Sequence, residues 1–279
     1  MSAGSVRASA TFWLLDAPDS LATQSRREPD GTGLGWFDDD DQPMVSKQPI
    51  AAYEDRAFAR EAKEVVSRTF VAHVRFASTG GLLARNTHPF EQDGRLFAHN
   101  GVIEDLPKLE RHLGADRARV QGDTDSERFF ALITREAAAR GGDLAEGIRR
   151  ACEWVAQNLP VFAMNFVLAT PAELFALRYP ETHALYVLER RAGEELAHES
   201  SFGTRVVSGH GLEHALVTVA SERMDDDPGW RLLDSGELLR VRATLEVSRT
   251  HPLDAPPAHL LTINDLPGRA QASQTNTEP

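Results

Sequence analysis

Residues 69–77 read Thr-Phe-Val-Ala-His-Val-Arg-Phe-Ala, a pattern typical of a β-strand, and they begin the stretch that decides the fold. The motifs that follow are Asn86-Thr87-His88-Pro89, a short predicted strand Leu96-Phe97-Ala98 that stops at His99-Asn100-Gly101, and Asp123-Thr124-Asp125-Ser126-Glu127 at a helix start. The stretch therefore combines a buried cation, a glycine-bearing turn with free backbone N–H groups, and a carboxylate near a helix N-terminus. Together these groups could hold a zwitterion with a reacting carbonyl nearby.

Two charged side chains in this stretch call for an explanation. Side chains alternate between the faces of a strand, and Arg75 follows a buried-looking run. Such an arginine is either paired or ready to bind an anion, and a structural ion pair is the commoner case. At the helix start, Thr124 and Glu127 have the spacing of a capping box. That motif leaves Asp125 free for another task near the positive end of the helix.

The composition narrows the class of protein. The chain has 279 residues, a net charge of -12 and a pI of about 5.3, which gives no support to binding of nucleic acid or of an anionic membrane. The acidic runs 38–41 and 225–227 are most simply solvated turns rather than metal sites.

The single cysteine, Cys152, excludes an internal disulfide and a cysteine zinc site, and its helical spacing predicts an inert core thiol. Without a signal peptide or a long apolar run, we expect a cytoplasmic protein.

The remaining pattern predicts one α+β domain over residues 1–250. Residues 1–10 are small and weakly patterned, which predicts a loop or a frayed end. The glycine-rich run 29–37 does not match a dinucleotide or phosphate-loop motif; a turn entering a strand is favoured over a close approach of the backbone to another group. From Val161 onward the pattern is that of short strands. Residues 251–279 form a polar, proline-rich extension that we predict to be disordered from the mid-260s.

The order of these motifs resembles the class II glutamine amidotransferase domain, in its stand-alone bacterial form. The resemblance covers roughly residues 11 to 250 and includes four further segments, 20–25, 29–36, 165–169 and 220–230. It implies the fold of the N-terminal-nucleophile hydrolases, a four-layer αββα sandwich in which two β-sheets pack face to face between helical layers. It also implies an amidohydrolase that acts on glutamine or a γ-glutamyl compound through a cysteine thioester.

The resemblance assigns roles by position. Arg75 would bind the substrate α-carboxylate and Asp125 the α-ammonium, while the Asn100 side chain and the Gly101 N–H would form the oxyanion hole. Two further residues, Ser78 and Thr79, would line the pocket. The histidines His88 and His99 would be structural, and a zinc site made of His73, His88 and His99 is the less favoured alternative.

The resemblance implies no cofactor and no metal, because the α-amine of the nucleophile takes the proton in this family. The substrate would be a small molecule, and ammonia would pass to solvent or to a separate ammonia-accepting enzyme.

One element of the family pattern does not match. The family's catalytic residue is an N-terminal cysteine on an apolar first strand, whereas this sequence begins Met1-Ser2-Ala3. We favour a cysteine that lies upstream of Met1. The alternatives are an inactive module that binds glutamine or a γ-glutamyl compound, and, least favoured, Ser2 as the nucleophile after removal of Met1.

Overall fold

The computed structural model describes residues 2–77, 79–193, 196–199, 205–208 and 214–275. One seven-stranded sheet, the first sheet, has the spatial order β13-β9-β12-β1-β4-β2-β3. Its strands are β1 (Ser2–Ala8), β2 (Gly31–Phe37), β3 (Pro43–Gln48), β4 (Ser67–Arg75), β9 (Tyr186–Arg190), β12 (Leu216–Ala220) and β13 (Arg231–Leu232).

The second sheet also has seven strands and follows the order β15-β14-β8-β7-β6-β5, with β16 parallel to β7. Its strands are β5 (Phe90–Gln92), β6 (Arg95–Ile103), β7 (Pro160–Ala169), β8 (Glu173–Leu177), β14 (Leu238–Arg242), β15 (Val247–Thr250) and β16 (His259–Leu260). A separate hairpin consists of β10 (Leu196–Glu199) and β11 (Arg205–Ser208).

Six α-helices accompany the sheets within the described residues: α1 (Leu21–Gln24), α2 (Arg56–Glu64), α3 (Leu106–Leu113), α4 (Asp125–Ala138), α5 (Leu144–Asn158) and α6 (Gly268–Thr275). Shorter helical turns are Phe12–Asp16, Ala84–Asn86, Gly114–Arg119 and Ile263–Asp265.

Apolar side chains on both faces of each sheet produce four layers. On the outer face of the first sheet, Phe70 and Val74 of β4 pack with Leu14 and with Phe58 of α2. On the outer face of the second sheet, α4 and α5 cover the strands, and the rings of Phe97 and Phe130 stack 4.8 Å apart. Between the sheets the contacts are made by residues of both, among them Val71, Leu96 and Ala98. The predicted four-layer αββα sandwich is therefore confirmed.

A close approach between chain segments explains one glycine of the run 29–37. Gly33 lies in β2, and a Cβ atom added there would be 1.9 Å from the carbonyl oxygen of His88. Any side chain at this position would force the segments apart. The less favoured interpretation of this run, a backbone that must approach another group, is thus correct at Gly33.

The N-terminal segment differs from its prediction. Residues Ser2–Ala8 form β1, which lies in the middle of the first sheet between β12 and β4. The small residues of this segment, such as Ala3, do not show the apolar alternation of a typical strand. The segment nevertheless forms a strand because its backbone pairs with β4 on one side and β12 on the other, and Ala3 is buried between the sheets. The expectation of a loop or frayed end is wrong.

The tail also differs from its prediction. The Ile263–Asp265 turn and α6 are formed, so the expectation of disorder from the mid-260s is wrong for residues 263–275. Leu266 and Ala270 are buried against Val102 and Phe162 of the second sheet. This apolar anchor is too short to register as a helical pattern in a polar sequence.

We predict that Leu266→Ala destabilises the protein by about 2 kcal/mol, because it removes buried apolar contacts and leaves a cavity. Urea unfolding measures the change. The matched control is Leu260→Ala, whose parent side chain is 47% exposed, with an expected cost below about 0.5 kcal/mol. Equal small effects of the two substitutions would show that the tail does not pack on the second sheet.

Candidate active site

A cavity of about 750 Å3 lies between the two sheets and brings most of the predicted site residues together. Five of the six predicted positions line it, namely Arg75, Thr79, Asn100, Gly101 and Asp125. The sixth, Ser78, lies outside the described residues.

Arg75 is a buried cation at the end of β4, only 4% exposed. Its guanidinium donates to the carbonyl oxygens of Thr79, at 2.5 Å, and Gly81, at 3.2 Å. Burial lowers the pKa of Arg75, and the nearby Asp30 and Asp125 carboxylates partly offset this effect. No ion pair with Arg75 is present within the described part of the chain, so the structural ion pair that such an arginine usually makes is not its explanation here.

Asp125 is a buried anion in the first turn of α4, 3% exposed. Its carboxylate accepts hydrogen bonds from the Ile103 N–H at 2.9 Å and from the Thr79 hydroxyl at 3.3 Å. Thr79 thus contacts Asp125 with its side chain and Arg75 with its carbonyl. Two charges of opposite sign are held near the same loop residue without being bonded to each other.

The N-terminus of α4 is only partly the predicted capping box. The Thr124 hydroxyl accepts from the Glu127 N–H at 3.3 Å, as predicted. The Glu127 carboxylate instead accepts from the N–H groups of Gln121 and Gly122, at 3.0 and 2.6 Å. These two hydrogen bonds of Glu127 hold the loop that precedes α4, and Asp125 takes no part in the cap.

Asn100 and Gly101 lie within β6, which continues to Ile103, so the prediction that this strand stops at His99 is wrong. The Asn100 side-chain amide donates to the Ser221 hydroxyl at 3.3 Å. A Cβ atom on Gly101 would be 2.0 Å from the carbonyl oxygen of Ala163 on β7. Glycine is required here because the neighbouring backbone occupies the space of a side chain.

The three histidines of the motifs lie close to the predicted site. The rings of His73 and His88 are 4.2 Å apart, and the His99 Nδ1 is 2.9 Å from the Ser126 hydroxyl. Burial, with smaller contributions from Arg75 and His99, lowers the pKa of His73 to about 3. Burial also lowers the pKa of His88 and of His99. All three are therefore neutral at pH 7.

The zinc hypothesis for these histidines finds no support in their geometry. Among the residues the structure describes, one group of three potential ligands converges, Asp234 with Glu237 and His251, and it lies outside the cavity. Glu237 is moreover paired with Arg231 at 2.7 Å.

Cys152 lies in the core against α4, fully buried, and burial raises the pKa of its thiol. It is not among the residues that line the cavity. The predicted core thiol is confirmed.

A further part of the cavity is a passage between β4 and β12, which we call the channel. Ser2 of β1 pairs with Phe70 on β4 and with Thr218 on β12. Beyond these pairs, residues 72–75 of β4 and residues 219 and 220 of β12 line the cavity. The channel is thus in line with β1 and leads to Arg75.

The acidic group at the far side of the channel was not predicted. Glu28, Glu222 and Asp19 line it together with Arg27, which pairs with Glu222 at 2.7 Å and with Asp19 at 3.2 Å. Glu222 belongs to a motif of the resemblance, residues 220–230, but nothing in its spacing indicates a role. Glu28 carries no sequence signal at all.

The sequence likewise indicates no role for Asn165. Its side chain accepts from the Tyr179 N–H at 2.9 Å and donates to the carbonyl oxygen of Ala184 at 3.1 Å. It therefore fixes the segments that form the wall of the cavity beyond Asn100.

No helix of the described residues combines the length and the apolar character that a membrane span needs.

Comparison with known proteins agrees with this geometry. The family model "Glutamine amidotransferases class-II" matches residues 17–260. The γ-glutamyl-hercynylcysteine sulfoxide hydrolase of Mycolicibacterium smegmatis is 28% identical over 240 residues, which cover 82% of this chain and 88% of that protein.

Two solved structures share the fold. A glutamine aminotransferase class-II domain protein from Silicibacter pomeroyi superposes with a TM-score of 0.55 at 20% identity, covering 80% of this chain and 92% of that one. The glutamine phosphoribosylpyrophosphate amidotransferase of B. subtilis superposes with a TM-score of 0.60 at 18% identity, covering 85% of this chain but only 46% of that one. The fold is that of the N-terminal-nucleophile amidotransferases, and the chain belongs to the class II glutamine amidotransferase family.

Proposed function

We propose that this protein is an amidohydrolase that cleaves the side-chain amide of glutamine or of a γ-glutamyl compound. One observation carries the proposal: a buried guanidinium, a buried carboxylate and the Asn100–Gly101 segment line the same cavity. A γ-glutamyl substrate carries an α-carboxylate, an α-ammonium and a side-chain amide carbonyl. These three groups match the charges and the hydrogen-bond donors of the cavity one by one.

Each residue has a role in the proposal. The planar fork of Arg75 binds the α-carboxylate, and Asp125 binds the α-ammonium. Thr79, which contacts both residues, fixes their spacing and lines the pocket. The Asn100 side-chain amide and the Gly101 N–H donate to the oxyanion that forms as the carbonyl is attacked.

The proposed chemistry is acyl transfer through a cysteine. The α-amine of the cysteine takes the thiol proton, and the sulfur attacks the amide carbon to give a tetrahedral oxyanion. Collapse breaks the C–N bond, the leaving nitrogen takes a proton, and a thioester remains. Water then attacks the thioester, releases glutamate and restores the thiol. This sequence uses no metal or other cofactor.

The cysteine would be carried by a segment that lies upstream of Met1 and occupies the channel. The channel supports this placement because it is in line with β1 and ends beside Arg75. Ser2 is less favoured as the nucleophile because of its position in the first sheet. It does lie on a strand, but its backbone pairs with Phe70, and Arg75 is five positions further along β4, about 16 Å away.

The name of the Mycolicibacterium relative describes hydrolysis of a γ-glutamyl compound, which supports keeping such compounds among the substrates. If glutamine is the substrate, ammonia would pass to solvent or to a separate accepting enzyme. The second candidate function is binding of glutamine or a γ-glutamyl compound without turnover, because Arg75 and Asp125 serve recognition as well as catalysis.

Two measurements on the native protein test the proposal: mass spectrometry of its N-terminal peptide, and glutamate release from glutamine and from γ-glutamyl amides. An N-terminal cysteine together with glutamate release supports the hydrolase. Substrate binding without release, in a protein that lacks this cysteine, supports the binding module. A protein that neither binds nor cleaves these compounds contradicts both functions.

We predict that Arg75→Ala weakens glutamine binding by the 279-residue chain about 10- to 100-fold, because a charge-assisted bidentate contact with the carboxylate is lost. Isothermal titration calorimetry measures the dissociation constant. Arg85→Ala is the matched control, since Arg85 belongs to the same loop, is half-exposed and lies outside the cavity lining. An unchanged affinity of Arg75→Ala would contradict the assignment of the carboxylate site.

We predict that Asp125→Asn weakens glutamine binding about tenfold or more, while the free energy of unfolding changes little. The amide oxygen can still accept from the Ile103 N–H, but the charge that attracts the ammonium is gone. Glutarate monoamide, which lacks the ammonium, should bind the variant and the parent equally. Asp123→Asn serves as the control, because Asp123 is a half-exposed neighbour outside the lining. Equal losses for both ligands would mean that Asp125 does not contact the ammonium.

A further inference from the structure

The C-terminal segment 261–275 connects the two sheets. Leu266 and Ala270 are buried against the second sheet, where they pack on strands β6 and β7. From the neighbouring position, the Arg269 guanidinium reaches across and donates to the carboxylate of Asp30, the residue before β2, at 3.0 Å. The family model ends its match at residue 260, so this contact is made by a part of the chain outside the matched region.

Asp30 is attached to the end of the strand that carries Arg75. Its N–H donates to the carbonyl oxygen of Arg75 at 2.8 Å, and its carboxylate accepts from the Ala77 N–H at 2.8 Å. The Asp30 side chain is only 15% exposed. It therefore places a negative charge close to the guanidinium that we propose to bind a carboxylate, although these two side chains do not form an ion pair with each other.

The charges around Arg75 balance only when Arg269 is present. Burial is the main cause that lowers the pKa of Arg75; among the charged side chains, Asp30 and Asp125 raise this pKa and Arg269 lowers it. The effect of Arg269 is larger than that of Asp125, so Arg269 is close enough to matter for the site. Without it, these four side chains would carry one net negative charge, which opposes the approach of a carboxylate.

We propose that Arg269 is a positioning residue that makes the substrate site selective for a carboxylate: it neutralises Asp30 and so leaves the positive charge of Arg75 available to the substrate. The inference rests on the proposed function, because it requires that Arg75 binds the α-carboxylate. Arg269 is not among the residues that line the cavity, and it therefore acts through Asp30. The C-terminal segment contributes the charge that the matched region lacks.

The same contact could also act mechanically. Asp30 holds the Ala77 N–H, and the loop that follows supplies the two carbonyl oxygens bonded to Arg75. The Arg269 side chain, however, is 58% exposed, and exposed ion pairs contribute little to stability. A mechanical effect would weaken the binding of every ligand alike, whereas an electrostatic effect depends on the charge of the ligand.

Three ligands that differ in charge test the inference on the 279-residue chain. Glutamine carries the carboxylate and the ammonium, glutarate monoamide carries only the carboxylate, and γ-aminobutyramide carries only the ammonium. At low salt we expect Arg269→Gln to bind glutamine and glutarate monoamide about three- to fivefold more weakly, while γ-aminobutyramide binds at least as tightly as to the parent. High salt should reduce these differences. Isothermal titration calorimetry measures the affinities.

A second substitution, Asp30→Asn, tests whether Arg269 acts through Asp30. The amide oxygen of asparagine can still accept from the Ala77 N–H, but no charge is left to neutralise. In the Asp30→Asn background, Arg269→Gln should therefore change the affinity for glutarate monoamide by less than about twofold. Arg269→Lys, which keeps the positive charge, should bind all three ligands as the parent does.

The matched control is Arg242→Gln. Arg242 is 51% exposed, pairs with Glu246 at 3.0 Å and lies outside the cavity lining, so it resembles Arg269 in exposure and in pairing. Its substitution should leave all three affinities unchanged. Hydrogen exchange of the Ala77 amide reports on the loop, and its protection should be the same in Arg269→Gln as in the parent.

Two results would overturn the inference while the parent still binds glutamine and the proposed function stands. One is an unchanged affinity of Arg269→Gln for glutarate monoamide. The other is a parallel loss for all three ligands with reduced protection of the Ala77 amide, which would make the contact mechanical. A parent chain that binds none of the three ligands would contradict the proposed substrate site itself, and the inference with it.

Discussion

Two buried charges of opposite sign that do not form an ion pair with each other are the constraint on which the site depends. Arg75 belongs to the first sheet, and Asp125 belongs to a helix that packs on the second sheet. Their spacing is therefore set by the face-to-face packing of the sheets rather than by local sequence. Each charge is stabilised by neutral groups, the carbonyls of Thr79 and Gly81 for the cation and an N–H and a hydroxyl for the anion. Neutral partners leave both charges able to attract a ligand, whereas a direct ion pair would have cancelled them.

Close backbone contact holds this arrangement in place. At Gly33 and at Gly101 a Cβ atom would overlap a carbonyl oxygen of a neighbouring segment, at 1.9 and 2.0 Å. Both glycines are on strands that pass the cavity region, one in each sheet. The lack of a side chain brings β2 against the His88 segment and β6 against β7. The position of Asn100, next to one of these contacts, is consequently fixed by backbone packing and does not depend on a side-chain rotamer alone.

The sequence was sufficient to predict site residues whose charge stands out from the local pattern around them. Arg75 and Asp125 were identified because a charge interrupts an apolar strand in one case and lies beside a cap in the other. The sequence failed where structure arises from partners distant in the chain. Ser2–Ala8 is a central strand although its residues are small, because backbone pairing with β4 and β12 stabilises it and its side chains contribute little. Glu28 and Glu222 are nearly 200 residues apart, and only the fold brings them to one cavity.

Recognition and chemistry are delivered to the cavity by different parts of the chain. The groups proposed to bind the α-amino acid moiety come from the end of β4, the following loop and the start of α4, all between residues 67 and 138. The group proposed to attack would arrive along the channel, from a strand that contributes nothing to the binding of the two charges. Loss or replacement of that strand would remove turnover while Arg75, Asp125 and the Gly101 contact stay in place. The same geometry therefore explains how a hydrolase and a binding module can share one fold, and it locates the difference between them in the occupant of the channel.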